Sequence, residues 1–216
     1  VFAISPIFKY ICNSLIIVGL NILGTLLSCS LVAYGFSRFN CKEKNIWFTI
    51  LLSTMMIPWD VTMIPQYMEF NLFGWINTLK PLIVPAWFGS AYYVFLMRQF
   101  LMGIPKDFDE AAYLDGASHI QIFTKIIVPI SKPIFASCAI VCLNHVWNEF
   151  LFANVFLESK KLMTIPIGLM TFKGDLRADY VTMLAGIIIA SLPMIILFLC
   201  MSKQFVRGLT AGAVKG

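Results

Sequence analysis

The chain has 216 residues, 59% of them hydrophobic and only 12% charged, with a net charge of +5 and a mean hydropathy of +0.83. A soluble globular domain carries roughly 25% charged residues, so a soluble fold is excluded and a membrane protein is expected. The 16 basic residues are scattered between apolar blocks instead of forming a stripe, which argues against a nucleic-acid binder.

Four of the six cysteines, Cys29, Cys138, Cys142 and Cys200, lie inside apolar runs, and Cys12 and Cys41 lie near the ends of one. They read as small buried hydrophobes and not as a disulfide framework. No short apolar stretch with a small-residue cleavage site opens the chain, so no secretory signal peptide is expected.

In chain order, residues 1–12 form a mixed apolar lead that reads as a connector. Residues 13–36 contain no charge, and at ~1.5 Å per residue they exceed the ~30 Å hydrocarbon core. Gly19, Gly24, Ser28 and Ser30 suit close helix packing there. Residues 37–45, with Arg38, Lys42 and Lys44, read as a turn. A second span is expected at 46–65, interrupted by Pro58 and carrying Asp60, and a third at 81–101. Between them Phe70, Phe73, Gly74 and Trp75 make an amphipathic stretch suited to the membrane interface. The fourth span is expected at 133–156 and the fifth at 180–201, with Pro193 inside it. A charged loop, 157–179, lies between these two spans, and a basic, glycine-rich tail, 202–216, ends the chain. The fold class is therefore an all-α, polytopic transmembrane helical bundle forming a single domain.

The polar interlude 102–132 is built differently from the other connectors. Pro105 suits a first helical turn, and Asp107, Asp109 and Glu110 complement the positive end of a helix dipole. Ala111 and Ala112 keep one face slim. Gly116 is suited to a left-handed cap, which predicts a helix of about three turns. A second helical piece is expected from Ser118, with Ile120, Phe123, Ile126 and Ile127 at three-and-four spacing, until Pro129 and Pro133 stop it. On periodicity alone, such a unit is also what an amphipathic helix on the lipid surface would look like.

Glu110-Ala111-Ala112, Asp115-Gly116-Ala117, Phe123, Ile126, Pro129 and Pro133 resemble, in type and spacing, the EAA signature of ATP-binding-cassette (ABC) importer permeases. Val128 stands where that family usually has leucine. Asn13-Ser14-Leu15, the run Ala33-Tyr34-Gly35-Phe36-Ser37-Arg38-Phe39, Trp147-Asn148-Glu149-Phe150 and the ending from Arg207 to Gly216 look like the carbohydrate-uptake, maltose-type branch. The resemblance implies that 102–132 is a cytoplasmic coupling loop seated on an ATPase subunit, with Glu110, Ala111, Ala112, Asp115, Gly116 and Ala117 at the contact. It also implies that the tail, including Arg207, Gly208 and Lys215, faces the ATPase subunits. The implied partners are a second permease subunit, an ATPase dimer that carries ATP and Mg, and an extracytoplasmic solute-binding protein docking on 157–179. No cofactor is expected on this chain, which would be a non-catalytic subunit in a bacterial or archaeal inner or plasma membrane.

With 102–132 cytoplasmic, ten of the 16 basic residues fall inside, a modest bias of the expected sign. The C-terminus is then cytoplasmic and the N-terminus outside. Because the family usually has six spans, a further span ahead of residue 1 is expected.

Within the fourth span, Asn144 and Asn148 are four apart, as are His145 and Glu149, so each pair shares a helical face. Counted from Pro133, His145 falls ~18 Å and Glu149 ~24 Å along the axis. An ionisable group there should face the bundle interior or a watery cavity. Asn144, Trp147 and Asn148 are candidates for the solute path, because amides match sugar hydroxyls and indole offers a flat apolar face. Asp60, His145 and Glu149 are candidates for a gating or structural role; interhelical hydrogen bonding is an open alternative for the fourth-span residues, and an interfacial carboxylate touching water is the open alternative for Asp60. Cys138, Cys142, His145 and Glu149 form a stripe of metal-ligand types, but a heptad stripe is also how a packed helix faces its bundle, so no metal is expected. No phosphate-binding Gly-x-x-x-x-Gly-Lys-Ser/Thr loop occurs, so this chain is not the motor. The sequence points to an ABC sugar-importer permease. An importer of glycerol phosphate or another polyol derivative, and an ion-coupled secondary transporter using Glu149 or Asp60, remain open.

Overall fold

In the computed structural model, the structure describes residues 6–172, 181, 183–196 and 199. The expectations for 173–179, for the ends of the fifth span and for the tail residues Arg207, Gly208 and Lys215 lie outside the described residues. Among the described residues, every regular element is helical.

The axis of the molecule is α1, Ile7–Arg38, an unbroken helix of 32 residues and so about 48 Å long. It starts earlier than the sequence suggested: residues 7–12 are helical and not a connector, because Ile7 and Tyr10 are each buried to 2% exposure. One face of α1 is polar yet buried, with Asn13, Ser14, Asn21, Thr25, Ser30 and Ser37 all inside. These side chains bind neighbouring backbone. Asn13 Nδ2 donates to the carbonyls of Lys161 and Met163, both at 3.0 Å. Asn21 Nδ2 donates to Leu82 O at 2.8 Å, and Ser28 Oγ to Ala86 O at 3.3 Å. Gly24 allows Trp87 to lie against the helix, since a Cβ would stand 2.6 Å from the indole. Gly19 faces open space.

The second, third and fourth expected spans are broken. The second consists of α2, Lys44–Ser53, a 3₁₀ turn at Thr54–Met56 and, past Pro58, α3, Trp59–Leu72. The two parts meet at 97°. The third begins as the short α4, Lys80–Ile83, continues as a 3₁₀ turn at Val84–Phe88, and passes Gly89 (φ 91°) into α5, Ala91–Met102. Prolines at 58, 81 and 85 remove backbone donors where these breaks fall. By length and composition one described helix, α1, could cross a membrane alone, and up to three spans result if each sharply bent helix pair counts as one.

The interlude 102–132 folds into α6, Asp107–Leu114, and α7, His119–Ile122, followed by a π turn at Phe123–Ile127 and α8, Val128–Ile130. A bend of 74° then leads into α9, Lys132–Trp147. Pro129 does not stop the helix, contrary to expectation. Its missing donor would have bonded Lys125, which lies within the π turn, where the hydrogen-bond register is already shifted.

The expected fourth span also ends early: α9 stops at Trp147, and α10, Leu151–Phe156, follows after a break. α11, Ile165–Met170, packs back onto α1, and 183–196 form α12. The largest buried cluster joins α1, α5, α6, α9 and the π turn through Tyr34, Met97, Ala112, Phe123, Ile127 and Cys138.

Candidate functional site

Two features stand at different levels along α1. At its C-terminal end lies the helix–glycine–helix unit. Asp107, Asp109 and Glu110 occupy the first turn of α6, as the dipole argument requires. The helix is shorter than expected, eight residues, and Pro105 precedes it instead of opening it. Its end is a Schellman cap: Gly116 takes φ 78°, Ala117 N–H donates to Ala112 O at 2.9 Å, and Gly116 N–H donates to Tyr113 O at 3.0 Å. Ser118 then opens α7 with a capping box shared with Gln121. The two helices are thus closed and opened within three residues, which fixes the elbow between them.

The six residues of the expected ATPase contact divide between two sides. Ala112 is buried in the core cluster and Ala117 packs half-buried against it, whereas Glu110, Ala111, Asp115 and Gly116 face outward. Leu114 and Ile120, at 90% and 75% exposure, add apolar surface on the same loop. Asp109, singled out in the sequence only for its dipole, is buried and ion-paired with Arg38 of α1, Oδ2 to Nε at 2.9 Å. Arg38 Nη1 also donates to Ile104 O at 3.1 Å. Phe39 stacks edge-on against His119 at 4.7 Å, Tyr34 meets Phe123 at 5.1 Å, and Tyr113 OH contacts His119 Nδ1.

Midway along α1 lies the second feature, a cavity of about 780 Å³. Ile17, Asn21 and Thr25 form one wall, and the breaks at Thr54–Pro58, at Pro81–Tyr93 and at Glu149 form the others. Irregular backbone is tolerated in a membrane protein where it lines a cavity. Polar side chains at the wall include Asn21, Thr25, Gln66, Ser90, Tyr92 and Tyr93, with Glu149 and His145 from the α9 side. Among the described residues, Glu149 is the one residue of the lining with a formal charge, and no lysine or arginine lines it.

His145 and Glu149 do share the cavity wall. Glu149 is not a residue of α9, however: it lies past the helix end, and its Oε1 accepts the Phe152 N–H at 2.9 Å. It therefore holds the first turn of α10, as a capping carboxylate does. Asn148 Nδ2 donates to Asn144 O at 2.8 Å and to its Oδ1 at 3.1 Å. Both amides are exposed and stand outside the cavity lining, and Trp147 is buried with Tyr10, Val18, Leu143 and Ile165. Asp60 sits exposed in the first turn of α3 and does not line the cavity that holds Glu149. The residues that sequence reasoning missed, Asn21, Thr25 and Gln66 above all, carried a usable signal: Asn21 and Thr25 are polar residues four apart in an otherwise apolar helix.

Broken apolar helices around a largely apolar cavity set with a few polar side chains, with loops at opposite ends of one long helix, make up the build of a membrane transport permease. The sequence matches the family of binding-protein-dependent transport system inner membrane components over residues 30–210. It is 39% identical over 211 residues to the probable ABC transporter permease protein YurM of Bacillus subtilis, covering 97% of this chain and 70% of that one. It is 35% identical over 209 residues to the melibiose/raffinose/stachyose import permease protein MelC of the same organism, covering 94% and 75%. The trehalose/maltose permease MalG of Thermococcus litoralis is 35% identical over 211 residues, covering 96% and 75%. In fold, the chain matches the crystal structure of a bacterial ABC transporter that imports the acidic polysaccharide alginate, with a TM-score of 0.81 at 22% identity over 92% of this chain and 75% of that one. The chain belongs to the binding-protein-dependent transport system inner membrane component family: it is an ABC transporter permease.

Proposed function

We propose that the chain is the permease subunit of an ATP-driven importer of neutral sugars, working with a second permease, a pair of ATPase subunits and an external binding protein. The observation that carries the reading is the family match over 30–210 together with relatives whose names specify arabinooligosaccharides, melibiose, raffinose and stachyose, or trehalose and maltose. The cavity agrees with a neutral solute. Hydroxyls and amides that donate and accept are part of its wall, and among the described residues it has no fixed cation of the kind a phosphorylated solute would need to offset its charge. Its volume of about 780 Å³ lies in the range of small-molecule sites. In this reading the second permease completes the cavity, Asn144 and Asn148 belong to the part of the path it encloses, and Trp147 supports that face by packing. Asp60 is an interfacial carboxylate and His145 a cavity wall residue.

On the other side, Glu110 to Ala117 with Leu114 and Ile120 would seat in the ATPase, with Arg207, Gly208 and Lys215 of the tail adding contacts. ATP and Mg act on the ATPase subunits, and closure of those subunits carries the loop and opens the cavity to the opposite side. The test is uptake by the reconstituted complex with its binding protein, offering labelled neutral oligosaccharides in competition with a hexose phosphate and glycerol phosphate. ATP-dependent uptake of a neutral sugar that the phosphorylated compounds leave untouched supports the reading. Preferential uptake of a phosphorylated solute overturns the choice of solute, and uptake without ATP overturns the importer itself.

A further inference from the structure

The loop proposed to seat in the ATPase leaves its sequence neighbours through soft connections. Toward α5 it passes Gly103 and Pro105; toward α9 it passes the π turn at Phe123–Ile127 and a 74° bend. Shifted hydrogen-bond registers and sharp bends are where helices give way. A push on α6 would be absorbed at both. By contrast α1, which the loop reaches only through space, is unbroken from Ile7 to Arg38.

The contacts that tie the loop to the end of α1 are buried. The Arg38–Asp109 pair is 2.9 Å long with the two side chains only 7% and 9% exposed, and the same guanidinium holds Ile104 O at 3.1 Å. One guanidinium therefore ties together the end of α1, the start of α6 and the segment that joins α6 to α5, through an ion pair to Asp109 and a hydrogen bond to Ile104 O; it holds its charge and two contacts at once in a way a lysine ammonium does not. Tyr34 against Phe123 and Phe39 against His119 flank it. Four to five turns up the same helix, Thr25 and Asn21 line the cavity, and Asn21 and Ser28 hold the carbonyls of Leu82 and Ala86 at one of its breaks.

Resting on the proposed function, we infer that the buried Arg38–Asp109 pair is the joint that makes the coupling loop and α1 move as one body, so that α1 carries ATPase closure to the cavity. Arg38 and Asp109 are positioning residues in this scheme. Neither touches solute or nucleotide. The role differs from simple stabilisation, because a pair that only stabilised the fold would lower stability while leaving the response of the cavity to nucleotide intact.

The experiment uses the complete complex in proteoliposomes with Gln66→Cys as a cavity reporter, labelled by a membrane-impermeant maleimide above the background of the native thiols. Labelling is compared between the nucleotide-free and the ATP–vanadate-trapped states, and thermal stability is measured alongside. In the parent the labelling ratio changes with nucleotide. In Arg38→Gln and Asp109→Asn that change should fall by about fivefold or more, the lower end of usual coupling between sites, with ATP hydrolysis retained. The double variant should be no worse than either single one, because the two residues act through each other. Arg38→Lys should fall between, and it carries the same test if the neutral variants do not insert. An unchanged labelling response in assembled complexes of these variants overturns the inference, even if stability drops. Failure of the parent chain to recruit an ATPase at all overturns the underlying functional reading instead.

Discussion

Gly116 is the position where a single change should separate loop geometry from everything else. Its φ of 78° lies in the left-handed region, and a Cβ built on it meets nothing within 4 Å. The cost of a side chain there is therefore backbone strain without steric clash, about 1–2 kcal/mol for an ordinary L-residue and less for asparagine, which tolerates this region. Gly116→Asn should be nearly silent, and Gly116→Ala should cost about 1–2 kcal/mol. Gly116→Pro locks φ near −65° and removes the N–H that donates to Tyr113 O at 3.0 Å, so both Schellman bonds go, at about 3 kcal/mol or more. Because the elbow sits between α6 and α7, the loss should appear first as detachment of the ATPase. Thermal unfolding of the purified complex, read with ATPase activity per permease, should rank the variants Asn, Ala, Pro in order of increasing damage. A proline variant with the parent's stability and activity would refute the cap and the place given to the loop.

Other positions give independent tests. Glu149→Ala should destabilise the complex by about 0.5–2 kcal/mol through loss of the acceptor for Phe152 N–H. Glu149→Gln keeps an acceptor and should leave ATP-dependent uptake intact, whereas an ion-coupled transporter would lose its coupling group. Asn13→Ala removes two bonds to the carbonyls of Lys161 and Met163, about 1 kcal/mol each, and should make the segment 157–165 markedly easier to cleave in limited proteolysis. Gly168→Ala would drive a methyl group into the ring of Tyr10, which is 2% exposed; thermal unfolding should register about 1–3 kcal/mol of overpacking.

The interlude 102–132 was the most legible part of the sequence because its signals are local. A left-handed glycine, a serine opening the next helix and an acidic first turn each act within three or four residues, and all appear where the sequence placed them. The breaks were legible only where proline marks them. No proline or glycine in Trp147-Asn148-Glu149-Phe150 marks the end of α9, and the contact found at the break, Phe152 N–H to Glu149 Oε1, belongs to the helix that follows. The solute-path candidates Asn144, Trp147 and Asn148 rest on side-chain chemistry, which says nothing of what each one packs against. Trp147 is instead buried among apolar side chains, and the two amides bond each other on an exposed face. Arg38 and Asp109 could not be paired from the sequence, as no short-range rule joins a residue ending one helix to one opening another so far along the chain.

The central claim is that residues 110–117 of this permease engage an ATPase subunit. A photo-crosslinking amino acid at Leu114, which is 90% exposed on the coupling loop, tests it most directly in native membranes, with Leu72, 86% exposed at the end of α3, as the control position. Mass spectrometry should find the Leu114 adduct on a nucleotide-binding ATPase subunit and the Leu72 probe free of that partner. An unattached Leu114 probe, or one bonded only to lipid, would contradict the account and return the loop to an amphipathic helix lying on the membrane surface.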